Sequence, residues 1–298
     1  MWKLLGRLFA AAILVGAGTA AASAKPLEAV GAENFYANVI AQIGGPYVRV
    51  SSILNNPNTD PHSYESDTRD ASLVASADLI VQNGVGYDAF MQKLEAASPH
   101  PGRAVIDVGA SLGLHAGDNP HLWYRPQTMP FVAGAIATAL ERLDPAHRAV
   151  FEANRARFVR SLQPWLTQIA LLRKRYAGTP IAVTEPVFNY TAEAIGLDIK
   201  TPRSFQLAIE EGNDPAPQDV SAVRTLLSGR EVRMFVYNQQ TVEPTTVQLL
   251  EVARSARVPV VGVYETMPEG QTYQSWMLAE VQAVWRALRN GTSTEHVY

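Results

Sequence analysis

The feature that most constrains the fold is an alternation. Short runs rich in valine, isoleucine and alanine recur along the chain: "LEAVGA" from Leu27, "VRVSSI" from Val48, "LIVQNG" from Leu79, "AVIDVG" from Ala104, "PIAVTE" from Pro180, "RMFVYN" from Arg233 and "VPVVGVYE" from Val258. Helical patterns lie between them, such as "ENFYANVIAQIGG" from Glu33 and "VEPTTVQLLEVARSARV" from Val242. Strands this apolar are covered on both faces, and helices between consecutive strands make the strands parallel. The expectation is an α/β protein.

The alternation stops once. From Pro145 to Ala177 there is no strand pattern, and Phe151, Phe158, Leu162, Trp165, Ile169, Leu172 and Tyr176 fall on one face of a helix. Asp144 as N-cap and Pro145 at the first helical position open it, and Gly178 before Thr179-Pro180 closes it. Pro164 falls inside, where it bends a helix or removes one of its hydrogen bonds. The sequence therefore predicts two Rossmann-like lobes with parallel sheets, residues 25–144 and 178–298, joined by one long rigid helix at 145–177. The plainer alternative is a single sheet with a long surface helix.

Residues 1–24 read as a signal peptide. Lys3 and Arg7 precede the apolar run "LFAAAILVGAGTAAA", and "ASA" at 22–24 is a small-residue cleavage site, so the mature chain is expected to start near Lys25. The run is short and glycine-broken for a membrane span, which needs ~20 apolar residues. There is no cysteine among the 298 residues. That removes thiolate as a metal ligand and as a lipid attachment point, and a chain of this length buries enough core to do without disulfides. A net charge of −3 gives no reason to expect nucleic acid or an anionic membrane surface as partner. The expected compartment is the periplasm.

In open parallel sheets, ligands bind at the C-terminal ends of strands. Four polar residues follow strand runs in this way. His62 lies in "NTDPHSYE" after "VRVSSIL", His121 lies in "GDNPHLWY", Glu185 follows "IAVT" and Glu265 follows "VPVVGVY". Two fall in each half, so a cleft between the lobes would bring all four together. Each has an ordinary alternative: a solvated turn for the histidines, a helix cap for Glu185, a surface carboxylate for Glu265. Taken singly, none of the four carries much; the repeated Asp/Asn-Pro-His feature adds weight to a metal site, because proline fixes the backbone beside the imidazole and lowers the entropy cost of holding it. His115 is a candidate auxiliary ligand, while His100, His147 and His296 are weaker. Trp123 and Tyr124 are expected to pack beneath the site, and Asn238 in "FVYNQQ" to hydrogen-bond a ligand. "NGVGYD" from Asn83 reads as a tight turn rather than a phosphate loop. His-Glu-x-x-His, Gly-x-Ser-x-Gly and Walker A motifs are absent from the sequence.

Taken in order, "ILNNPNTDPHSYE", "SADLIVQNGVGYDAFMQKL", "NPHLW", "FNYTAEAIGL" and "VPVVGVYETMPEG" resemble the periplasmic metal-binding component of zinc/manganese-type ABC importers. The resemblance covers nearly the whole mature chain. It implies a metal between two lobes, with the family's ligand positions falling on His62, His121, Glu185 and Glu265. The third position is commonly histidine in zinc importers and glutamate in several manganese importers. The fourth is usually aspartate, so Glu265 is a departure that adds one methylene. The histidine-rich loop of many zinc importers is reduced here to His115. The implied role is capture of one divalent transition metal and its delivery to an ABC membrane permease, by a monomer without a lipid anchor. Two imidazoles and two carboxylates suit Mn²⁺, Fe²⁺ or Zn²⁺, and the oxygen ligands lean to Mn²⁺ or Fe²⁺ over Zn²⁺. Affinity should fall in acid, since imidazole ligates only when neutral. Two rival functions are a periplasmic metal-dependent hydrolase using Glu185 or Glu265 as base, and a metal-independent binding protein for a small polar solute.

Overall fold

The computed structural model describes residues 25–56 and 64–296. The expected signal peptide and His62 lie outside the described residues. Among those described, two four-stranded parallel sheets form. The first has the order β2-β1-β3-β4, from β1 (Leu27–Glu33), β2 (Val48–Leu54), β3 (Leu79–Gln82) and β4 (Ala104–Asp107). The second has the order β6-β5-β7-β8, from β5 (Pro180–Val183), β6 (Asp198–Ile199), β7 (Phe235–Asn238) and β8 (Val260–Val263). β3, β7 and β8 are buried at every position, which is why they read as unbroken apolar runs. β6 escapes the sequence pattern: it is two residues long and follows directly on a helix that ends at a left-handed Gly196, φ 79°.

Both orders reverse winding direction at the same place, between the first and third strands of the sheet. Such a switch point leaves a crevice at the C-terminal ends of the two strands. In the first sheet these ends carry Glu33 and Asn83, and in the second Glu185 and Asn238.

The connecting segment is not one uninterrupted helix. Pro145–His147 is a single 3₁₀ turn, followed by helices Arg148–Ser161 and Gln163–Tyr176 that meet at Leu162. Pro164 has no N–H for the Arg160 carbonyl, so the ladder breaks where the proline predicts. The Asp144 carboxylate does not cap the helix; it bonds the His147 ring. The apolar stripe runs through the break, with Phe151, Phe158, Leu162, Trp165, Ile169 and Leu172 all buried.

A continuous apolar core passes from lobe to lobe. Phe35 packs on Trp123 with ring centroids 4.6 Å apart, and Tyr124 meets Phe188 and Trp276 at 6.0 Å. Hydrogen bonds cross the same seam. Tyr273 Oη donates to the Trp123 carbonyl and Tyr124 Oη to the Tyr264 carbonyl, both at 2.6 Å. Asn34 grips Met267 through its amide, donating at 2.7 Å and accepting at 3.0 Å. The described helices contain none long and apolar enough to cross a membrane.

Candidate metal centre

Three of the four expected residues meet where the lobes face one another, and all three are buried: His121 0%, Glu185 2% and Glu265 0% exposed. Glu185 stands two residues beyond β5, and Glu265 two beyond β8. Asn238, the last residue of β7, lies between those strands. Its amide nitrogen donates to Glu185 Oε2 at 3.2 Å and also to Glu265 Oε1. One side chain thus ties two carboxylates that would otherwise repel. Glu185 does not cap the turn that follows it. The backbone around Glu265 is held by Gln240, whose Oε1 accepts from the N–H of Glu265 at 2.6 Å and of Thr266 at 2.8 Å.

His121 arrives from the N-terminal lobe on the loop before the 3₁₀ turn Leu122–Tyr124. Asn119 sets its ring. The Asn119 amide nitrogen donates to the Pro186 carbonyl at 2.9 Å, which fixes which end of that amide is oxygen. That oxygen accepts from the His121 backbone N–H at 3.0 Å and lies 2.8 Å from His121 Nδ1. An acceptor at Nδ1 places the ring proton there and turns the lone pair to Nε2. Nε2 faces Glu265 Oε2 across 3.4 Å. Trp123 packs edge-on against the ring at 5.3 Å, completing the apolar wall expected for "HLWY".

Two residues here follow no strand-end rule. Tyr87 Oη donates to Glu265 Oε2 at 3.0 Å from the turn 83–88, which the sequence marks as a tight turn but not as part of the site. Burial, then the Glu265 charge, push the Tyr87 phenol well above its usual range, so it stays a donor. Glu210 ends the helix Arg203–Glu210 and brings Oε1 to 3.7 Å from His121 Nδ1. A helix-end glutamate offers no sequence signal that separates it from a surface residue.

Above the buried cluster, a cleft of about 620 Å³ lies between the lobes, lined by Tyr87, Asp118, Pro120, Glu210, Glu211 and Glu243 among others. Its acidic lining favours cations. His115 is exposed and does not line it. Asn56 and Tyr64, which flank the stretch holding His62, line a small cavity with Thr266, the neighbour of Glu265. Among the described residues, no three His, Asp or Glu side chains stand as a closed ligand set. Hydrogen bonds through Asn238 and Tyr87 hold the carboxylates instead.

The sequence profile described as ZnuA, zinc-uptake complex component A, periplasmic, matches residues 30–287. The chain belongs to this family. The family consists of solute-binding proteins rather than enzymes, which sets aside the hydrolase alternative. The iron-binding protein YfeA of Yersinia pestis is 24% identical over 231 residues, covering 74% of this chain and 71% of that one. The manganese-binding lipoprotein MntA of Bacillus subtilis is 22% identical over 266 residues, covering 83% of each. Among solved structures, the nickel complex of the solute-binding protein FpvC from P. aeruginosa superposes with a TM-score of 0.73 at 20% identity, covering 91% of this chain and 99% of that one. That likeness establishes the two-lobed fold.

Proposed function

We propose that the chain captures one divalent transition-metal cation between its lobes, with His121, Glu185, Glu265 and His62 as ligands, and passes it to the permease of an ABC importer. The observation that carries this reading is the facing of His121 Nε2 and Glu265 Oε2 across 3.4 Å, with the Asn119 amide oxygen 2.8 Å from the opposite ring nitrogen. Zinc-type ligand bonds of ~2.0–2.2 Å span such a gap after small side-chain shifts. Support for His62 is its position between Asn56 and Tyr64, both beside Thr266. The relatives' names include iron, manganese and zinc, so family membership leaves the ion open. With two carboxylates and no sulfur, the donor set leans to Mn²⁺ or Fe²⁺ over Zn²⁺.

We take residues 25–144 and 178–298 as the two lobes and 145–177 as their connector. The hydrogen-bonded, aromatic seam resists wide opening, so release proceeds through small shifts of the lobes or of the loops over the cleft. The protein acts as a monomer in the periplasm. Some relatives are lipoproteins, but the 298 residues hold no cysteine to carry a thioether lipid.

Elemental analysis of protein purified from the periplasm, with and without His121→Ala and Glu185→Ala, tests the assignment. One transition-metal ion per chain is expected in the wild type and a large loss in both variants. Equal metal content in all three would overturn it, and would favour a metal-independent solute instead.

A further inference from the structure

A second pair of carboxyl groups lies in the N-terminal lobe, at the switch point of its own sheet, and the ligand set does not use it. Glu33 ends β1 and Asp88 closes the turn 83–88; they are 1% and 3% exposed. Asp88 is well supplied with donors. Its Oδ2 accepts from the Asn83 N–H at 2.6 Å and its Oδ1 from the Gly84 N–H at 2.9 Å. Glu33 is not: among the described residues, no N–H of another residue donates to either of its oxygens, and only its own backbone N–H favours its charge. An ionised carboxylate in that state is strongly disfavoured by desolvation. Among the described residues, the one side chain that hydrogen-bonds it is Asp88, and two ionised carboxylates cannot bond one another. A proton on Glu33 turns the contact into an O–H···O⁻ bond.

We propose that Glu33 is a positioning residue for the cation site: a neutral carboxylic acid that donates to Asp88 and so holds the turn that presents Tyr87 to Glu265. The inference rests on the cation-binding reading above. Two routes lead from the pair to the site. Tyr87, the neighbour of Asp88, donates to Glu265. Asn83, whose N–H the Asp88 carboxylate holds, donates through its amide to the Pro120 carbonyl at 2.8 Å, one residue before His121. Tyr36 fixes that amide by donating to Asn83 Oδ1 at 2.8 Å. The acid pair therefore touches the mounts of a ligand from each lobe.

The charges around the pair agree. Burial, then the Asp88 charge, push the Glu33 carboxyl well above its usual range. Burial lifts Asp88 less, to about 6, because the Gly84 and Asn83 N–H groups favour its ionised form. Tyr36 from the helix Asn34–Gly44 and Tyr87 from the turn are in electrostatic reach of the pair, and the further groups that reach those two phenols are Asp107 from the end of β4, Glu265 from beyond β8 and Tyr273 from the last helix. None is cationic, so nothing nearby favours a second negative charge.

The test uses the full chain with Glu33→Gln and Glu33→Ala, and Mn²⁺ as the probe. Glutamine keeps a neutral donor towards Asp88, while alanine removes it. In metal-free protein at pH 7.5, the infrared difference between wild type and Glu33→Gln should contain a protonated-carboxyl band. Hydrogen exchange at Asn83 and Gly84 should be at least tenfold faster in Glu33→Ala, with protection restored in Glu33→Gln. Mn²⁺ affinity should fall about tenfold in Glu33→Ala and return to within about threefold of wild type in Glu33→Gln. The proposal is overturned if the band is absent, or if the two variants behave alike in exchange and affinity. If Glu33→Ala does not fold, the infrared band and the Glu33→Gln exchange and affinity decide. If the wild type binds neither Mn²⁺ nor Zn²⁺, the cation reading is what fails, and the infrared and exchange arms still report on the shared proton.

Discussion

The two sheets share one strand order, so β1 corresponds to β5 and β3 to β7, and the corners they form can be compared residue by residue. The N-terminal corner holds Glu33, Asn83 and Asp88; the C-terminal corner holds Glu185, Asn238 and Glu265. Each is an asparagine with two acids, buried from water. They differ in what faces them. The C-terminal acids are bridged by the Asn238 side chain, and one of them looks across the cleft at His121. The N-terminal asparagine spends its side chain on Tyr36 and the Pro120 carbonyl, which leaves Glu33 with no N–H donor from another residue among those described. On the readings proposed above, similar corners settle their negative charge differently: the closed pair keeps a proton, the pair opened onto another lobe's imidazole takes a cation, and the first corner steadies the turn and loop on which the second depends.

That division of labour can be broken at the seam that brings the corners together. Trp123 lies under His121 and against Phe35. Trp123→Ala should destabilise the protein by about 3–5 kcal/mol, read by chemical denaturation, because a fully buried indole leaves a cavity. A loss under about 1 kcal/mol would mean the lobes do not depend on this packing.

Acidity probes the protonated side of the comparison. Glu280, buried on the last helix, accepts from the Trp276 indole N–H at 2.8 Å and the Tyr264 N–H at 3.2 Å. Burial still pushes it up to about 8. An acid whose folded value lies above its unfolded one keeps its proton longer in the folded state. The contribution of Glu280 to stability should therefore be full below the ordinary carboxyl range and be lost, by a few kcal/mol, as pH rises through about 8. Glu280→Gln should flatten that slope in denaturation curves taken from pH 5 to 9. An unchanged slope would show that Glu280 is ionised throughout.

On the cation side, Asn238→Ala should weaken metal binding by roughly 10–100-fold, the usual effect of losing a partner that orients ligands. A calorimetric titration measures it, and an unaltered affinity would show that the carboxylates need no bridge. The smallest effect lies away from both corners. Arg230 and Arg257 follow helices at φ 54° and 56°, where glycine is the favoured residue. Arg230→Gly and Arg257→Gly should be neutral to stabilising by up to ~1 kcal/mol, with metal affinity untouched.

Much of this was legible in the sequence. Apolar runs located seven strands; β3, β7 and β8 read as unbroken because they are buried at every position, whereas β2 and β4 are partly exposed and showed through their valines and isoleucines. The strand-end rule pointed to Glu185 and Glu265, which the structure brings together through Asn238 in the buried cluster beneath the cleft. Proline in "NPH" marked His121, and Pro164 marked the break at Leu162. What escaped depends on the third dimension. Tyr87 and Glu210 reach the site from a turn and a helix end. β6 is too short to show a period. Glu280 did leave a trace: Trp276, Glu280 and Val284, spaced four apart, share the buried face of one helix, so an acid interrupts an apolar stripe. Glu33 left none, because its meaning comes from Asp88, 55 residues away.

The most direct measurement follows the ring nitrogens of His121 by ¹⁵N NMR while Zn²⁺, a diamagnetic probe, is added to metal-free protein. Before addition the proton should sit on Nδ1. One equivalent of Zn²⁺ should shift Nε2 of His121, leave its Nδ1–H in place, and leave His100, His147 and His296 unmoved. A His121 ring indifferent to the ion, or one that binds through Nδ1, would contradict a cation held between that imidazole and the strand-end carboxylates.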